Sequence, residues 1–178
     1  MTDILALDIA TTTGWCRGVV GGTPSCGTVC FGRNCSANAV FAQAIAWFSN
    51  LLKEEPQPDA LVIEAMLPGG AMRGETTIEV RDRLAGLHAI ARGVAHIRGI
   101  HEISTVDVGA VRQHFIGARN LKSDVAKREV VAKCRAMGWP VEDNNAADAV
   151  AVWSFACALI EPETALRLSP LFMRRAAE

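Results

Sequence analysis

The 178-residue chain lacks an apolar run long enough to cross a bilayer. Its longest uncharged apolar stretch covers 149–160, against the ~20 residues a spanning helix needs. The opening Met1-Thr2-Asp3 lacks the basic start of a secretory leader. Both absences predict a soluble, cytoplasmic protein with no membrane partner. Net charge is only −1, which excludes a polycation that grips nucleic acid by bulk charge. Cys26, Cys30 and Cys35 lie together, but neither a histidine nor a fourth cysteine lies near enough to complete a zinc site. The six cysteines read as reduced thiols in small buried or edge-strand positions. His88, His96, His101 and His114 show no metal-ligand spacing, and the four tryptophans read as core. Internal repeats and low-complexity segments are absent.

Half of the chain is apolar, enough for one domain with a sizeable core and too little for two. Charge is unevenly spread. Residues 73–135 carry 12 Lys/Arg against 7 Asp/Glu, while 1–72 and 136–178 each carry 3 against 6. A basic middle between acidic flanks fits an anionic ligand running past a carboxylate site, and it also fits a solvated helix face.

Three carboxylates stand inside apolar runs: Asp8 in Ile4-Leu5-Ala6-Leu7-Asp8-Ile9-Ala10, Glu64 after Ala60-Leu61-Val62-Ile63, and Asp148 before Ala149-Val150-Ala151-Val152. A buried carboxylate is costly unless it is paired or holds a metal. An oxygen-only set without histidine suits Mg²⁺ or Mn²⁺ better than zinc. Taken singly, each has a plainer reading. Asp8 could be satisfied by the amides of Thr11 and Thr12, Glu64 could pair with an arginine, and Asp148 could favour a helix dipole.

The apolar pattern predicts strands over 3–9, 15–20, 26–32, 60–64 and 101–106. Thr11-Thr12-Thr13-Gly14 reads as the first turn. Helices are predicted over 37–53, 77–98, 108–116, 124–137 and 145–160, with apolar faces that include Ile45 in the first and Ile97 in the second. Short connections make the first three strands antiparallel, and crossover helices make the rest parallel. The result is an α/β fold: a mixed five-stranded sheet with helices on both faces, a single domain over 1–160 and a tail over 161–178 left without structure. Asp8 is expected mid-strand on the central strand, Glu64 at the carboxyl end of a neighbour, and Asn145 and Asp148 on one helical face.

Leu5-Ala6-Leu7-Asp8 with Thr13-Gly14-Trp15, Val62-Ile63-Glu64 and Ala146-Ala147-Asp148-Ala149, in this order, resemble the RuvC family of Holliday junction resolvases within the ribonuclease H-like superfamily. Residues 87–95 look like that family's dimer helix. Residues 111–117 with Lys122 and Lys127 look like its basic segment. The resemblance spans about 3–160. It implies a homodimeric, metal-dependent endonuclease that resolves four-way DNA junctions by paired symmetric nicks, leaving 5′-phosphate and 3′-hydroxyl ends. It needs no organic cofactor. It implies Asp8, Glu64 and Asp148 as metal ligands, and it places the protein in a bacterial or phage-infected cell. Many cellular members carry Asp or His where this chain has Asn145, whose amide oxygen can ligate but adds no charge. Asp143 is the other candidate for the missing carboxylate. The Asp143-Asn144-Asn145-Ala146-Ala147-Asp148 ending looks more like phage or prophage members.

Phosphodiester hydrolysis is served by two cations about 3.5–4 Å apart, one activating water and one relieving the leaving oxygen. Asp8 would bridge two Mg²⁺ (or Mn²⁺) ions, with Glu64 and Asp148 holding one each and Asn145 or Asp143 assisting. Lys127, then Lys122, are the candidates for stabilising transition-state charge. Arg112 would do the same or hold a phosphate. Arg73, Arg81, Arg83 and Arg119 are candidate backbone contacts. Phe115 or the 66–72 loop is a candidate wedge at the branch point. Three other readings are weighed. A sugar-kinase-like phosphotransferase would share the Asp8–Gly14 turn but needs a second domain. A non-catalytic branched-DNA-binding module would be consistent with Asn145. A nuclease of the same fold could act on forks, flaps or packaging intermediates.

Overall fold

The computed structural model describes residues 1–53, 55–66 and 78–167. Strands β1 (Asp3–Asp8), β2 (Thr12–Val19) and β3 (Ser25–Cys30) come first. Helix α1 (Ala37–Leu51), β4 (Ala60–Glu64), α2 (Ile78–Ile97) and β5 (Glu102–Val106) follow. Helices α3 (Val108–Ile116), α4 (Ser123–Ala136), α5 (Asn144–Ile160) and the short α6 (Pro162–Arg167) are the last elements among the described residues. The sheet order is β3-β2-β1-β4-β5. β1 runs antiparallel to β2, β2 antiparallel to β3, and β4 parallel to both β1 and β5. This is the expected mixed sheet, with β1 at its centre.

Strand pleating sorts the core into two layers, because successive side chains point to opposite faces. Leu5, Leu7, Leu61 and Ile63 pack with Val40, Ala44 and Phe48 of α1 and Leu87, Ala91 and Ala95 of α2. Ile4, Ala6 and Val62 pack on the other side with α3, α4 and α5. Helices therefore cover both faces. Both central strands are apolar on both sides, as a parallel sheet requires.

Helix α5 is clamped between the sheet and α3–α4. It buries residues around most of its girth, among them Ala147, Ala149, Val150, Val152 and Trp153, so it reads as a continuous apolar run with no single stripe. Trp153 is 1% exposed, and its indole N–H donates to the Gly18 carbonyl at 2.9 Å. Trp139 packs on Trp153 with ring centroids 5.6 Å apart.

The structure corrects several local expectations. β2 begins at Thr12, so the first turn is tighter than 11–14. Thr13 is buried there; its hydroxyl donates to the Ala10 carbonyl at 2.6 Å and accepts from the Ala10 amide at 3.2 Å. β3 stops at Cys30 and α1 at Leu51. Ile45 and Ile97 are exposed, 48% and 83%, because small Ala44, Ala91 and Ala95 fill the positions nearest the sheet. Phe115 is buried against Trp139 and is core, which removes it as a wedge. Beyond α5 the chain continues as α6, where no structure was expected. The Thr2 amide and hydroxyl donate to Glu161 at 2.8 and 2.6 Å, tying the start of the chain to the end of α5.

Truncation of the clamp residue should show its weight. Trp153→Ala removes a buried indole and leaves a cavity between α5 and β2. We expect a loss of about 3–5 kcal/mol in unfolding free energy, measured by urea denaturation.

Candidate active site

Asp8 is the last residue of β1 rather than a mid-strand residue, and Glu64 is the last residue of β4. Leu7 pairs with Ile63, so the two acids stand side by side one residue further on. Pleat parity decides which way they face. Asp8 shares its side with Ile4 and Ala6, and Glu64 shares its side with Val62; all three of these apolar residues belong to the α5 layer. Both carboxylates therefore come off the carboxyl edge of the sheet towards the first turns of α5, which carry Asp148.

The three acids feel one another. Burial and then the charges of Asp8 and Asp148 push the Glu64 pKa up to about 8, with Arg112 opposing and Asp107 adding a further rise. Burial and then Asp8 push Asp148 up to about 6, against the pull of Lys127 and Arg112 and with a small rise from Asp143. Burial raises Asp8 as well, and Lys127 and Arg112 offset it. This is the signature of like charges crowded in a poorly hydrated place, a pattern typical of functional sites.

Lys127 of α4 and Arg112 of α3 are thus the two cations that act on the acids from the described residues. Both are half-buried. Lys122, at the head of α4, is exposed. Arg119 is exposed and bonded to Asp107 at 2.8 Å. Arg81 is exposed and Arg83 half-buried near the start of α2. Arg73, like the 67–72 part of the candidate wedge loop, lies outside the described residues.

Asp143 and Asn145 have another task. Asp143 is the N-cap of α5: its Oδ1 accepts from the Ala146 amide at 2.8 Å and from the Thr28 hydroxyl at 2.7 Å. Burial works to raise its pKa, but these bonds, with further ones from the Asn145 backbone and side chain, carry it below the usual carboxylate value. The Asn145 amide is thus turned towards Asp143. The pair sets the start of α5 and, through Thr28, anchors it to β3.

One residue was missed in the sequence, and a second was read there only as part of the first turn and of the family motif. Asp107 follows β5 and caps α3, accepting from the Ala110 amide at 2.9 Å. It thereby fixes the helix that presents Arg112 and holds Arg119. An aspartate immediately before a helical run was the available signal. Gly14 pairs with Asp8 across β1–β2, and a Cβ placed there would lie 1.9 Å from the Asn145 carbonyl oxygen. Only a glycine lets α5 come this close to the strand that carries Asp8. No spacing rule announces that contact.

The donor set fits a hard divalent cation. It is oxygen-only and partly desolvated, and its members repel until a positive charge joins them. Among the described residues no three Asp, Glu, His or Cys side chains converge into a closed metal cage. The acids are coupled through space without meeting at one point.

No family model matches the chain, and no curated protein matches it in sequence. Solved structures do match. Thermus thermophilus RuvC superposes with a TM-score of 0.68 at 16% identity, covering 88% of this chain and 95% of its own. The same bacterium's RuvC in complex with Holliday junction substrate gives 0.68 at 13%, covering 92% and 98%. The yeast mitochondrial Holliday junction resolvase Ydc2 gives 0.58 at 14%, covering 95% and 81%.

Two outcomes are expected of the site as it stands. Gly14→Ala should push the start of α5 off the sheet and cost about 1–3 kcal/mol, whereas Gly93→Ala, whose Cβ meets nothing within 4 Å on α2, should be neutral or up to about 1 kcal/mol stabilising. Denaturant melts compare them. The second outcome concerns pH. The folded pKa of Glu64 lies above its ordinary value of 4.5, at about 8, so the native state holds a proton that the unfolded state has released. Between those values stability falls as pH rises. In EDTA, Glu64→Gln should flatten that fall and make the protein more stable than wild type at pH 8. An unchanged slope across this window would contradict the coupling. With its acids at the carboxyl edge of a five-stranded mixed sheet and its superposition over nearly the full length of those enzymes, the chain has the ribonuclease H-like fold of the RuvC resolvases.

Proposed function

We propose that the chain is a metal-dependent, structure-selective DNA endonuclease that resolves Holliday junctions by paired symmetric nicks. One observation carries this reading: Asp8, Glu64 and Asp148 meet electrostatically at the carboxyl edge of the two central parallel strands, on the fold of RuvC. Asp8, Glu64 and Asp148 would hold Mg²⁺, or Mn²⁺ in its place. Two ions would supply an activated water and relief of charge on the leaving oxygen. Asn145 is the better candidate than Asp143 for a fourth oxygen, because the Asp143 carboxylate already caps α5; in taking that role its amide would leave its bond to Asp143.

The remaining residues supply charge and position. Lys127 and Arg112 already act on the acids, so either can meet a phosphate brought to them. Lys127 is favoured for the transition-state charge and Arg112 for the phosphate. Lys122, Arg119, Arg81, Arg83 and Arg73 are proposed contacts to the DNA backbone, which would make binding steeply salt-dependent. Paired nicks require two active sites. A homodimer through α2, where Ile78, Val80 and Ile97 are exposed, would supply them.

A labelled synthetic four-way junction, assayed beside a fork, a flap and a linear duplex, tests the reading. We expect paired symmetric cuts in Mg²⁺ or Mn²⁺ and none in EDTA. Asp8→Asn should lower the rate at least about 10²-fold. Cutting confined to forks or flaps would replace the substrate and keep the chemistry. Junction binding without cleavage under either metal would leave a branch-binding module.

A further inference from the structure

We propose a second metal site, built from His96 and His101 at the turn between α2 and β5, for a borderline transition cation such as Zn²⁺ or Ni²⁺. Their Nδ1 atoms lie 3.3 Å apart, while the ring centroids are 4.8 Å apart and the planes meet at 67°. The Nδ1 edges are therefore the parts of the two rings that approach each other. Two imidazole ligands of a tetrahedral zinc, each about 2.0–2.1 Å from the ion, stand about 3.3–3.4 Å apart. The observed separation matches that edge, so the turn makes a ligand pair of two histidines whose spacing in the sequence does not mark them as one. Nitrogen donors of this kind select zinc, nickel or copper over magnesium.

The backbone between the two rings is already set. Gly99 takes a positive φ of 86°. Its amide donates to the His96 carbonyl and the Ile100 amide donates to the Ala95 carbonyl, both at 3.0 Å. Ile100 is buried. Binding would thus order two side chains and no chain segment, which lowers its entropic cost. Both histidines are exposed, and His96 lines an open hollow with Arg92, Gly93, Ile97 and Ile103, so an ion and its remaining water ligands have access. The Arg92 charge works against the cation and weakens the site. In the apo protein the two rings can share a single N–H···N hydrogen bond. The site is independent of the nuclease reading, since neither histidine is among the groups acting on the three acids.

Zinc titration of the full-length protein, followed by imidazole NMR resonances, tests this. We expect His96 and His101 to shift together while His88 and His114 stay in place. His96→Ala or His101→Ala should each weaken that binding by about tenfold or more. Asp8→Asn should leave it unchanged, which separates it from the carboxylate site, and Mg²⁺ should not reproduce the shifts. No movement of His96 and His101 with excess Zn²⁺, or an affinity equal in the alanine variants, would overturn the site and leave a hydrogen-bonded pair. Equal shifts with Mg²⁺ would overturn it as well.

Discussion

At the carboxyl edge of the sheet and the facing first turns of α5 three acidic groups are held partly out of water, and the surrounding structure works to keep them there. Asp8 and Glu64 end neighbouring strands whose apolar residues are buried on both faces. Asp148 rises from a helix pinned by Trp153 and by the Asp143 cap. None of the three backbones can retreat, so burial, and at Glu64 and Asp148 the neighbouring acids as well, appear as raised proton affinity, most strongly at Glu64. Such a site is poor in stability and rich in affinity for positive charge. Lys127 and Arg112 offset part of that repulsion.

Close approach is the second requirement. Helix α5 lies low on the sheet because alanines line its first turns and because Gly14 has no side chain where the Asn145 carbonyl passes. The same approach lets Thr28 of β3 reach the α5 cap. Two separate strands, β2 and β3, thereby set the height and start of one helix. A change at Gly14, which carries no functional group, acts on the acids through backbone packing alone.

Fold and chemistry remain separable here. The mixed sheet explains where the acids stand, and many activities can be grafted on one fold. The proposal of phosphodiester chemistry rests on the particular combination of crowded acids beside one strand edge and cations of α3 and α4 whose charges act on them. The His96–His101 pair lies at the opposite end of α2–β5 chemistry: nitrogen donors, exposed, on a turn ordered by its own hydrogen bonds.

Local pattern determined a great deal. Strand β4 and helix α3 are where apolar period and turn residues put them, because both follow from short-range rules. The three acids were legible for the same reason, as charges interrupting apolar runs. Tertiary contact decided the rest. β2 begins at Thr12 because the buried Thr13 hydroxyl closes the turn on Ala10, which no propensity encodes. Asp143 is a ligand candidate in the sequence, and the structure adds that its carboxylate caps α5 and reaches Thr28, a contact made only when β3 packs beside α5. Gly14 matters through a neighbour remote in sequence, the Asn145 carbonyl. Periodicity reports which side of an element faces inward; only the packed structure specifies which residue waits on the other side.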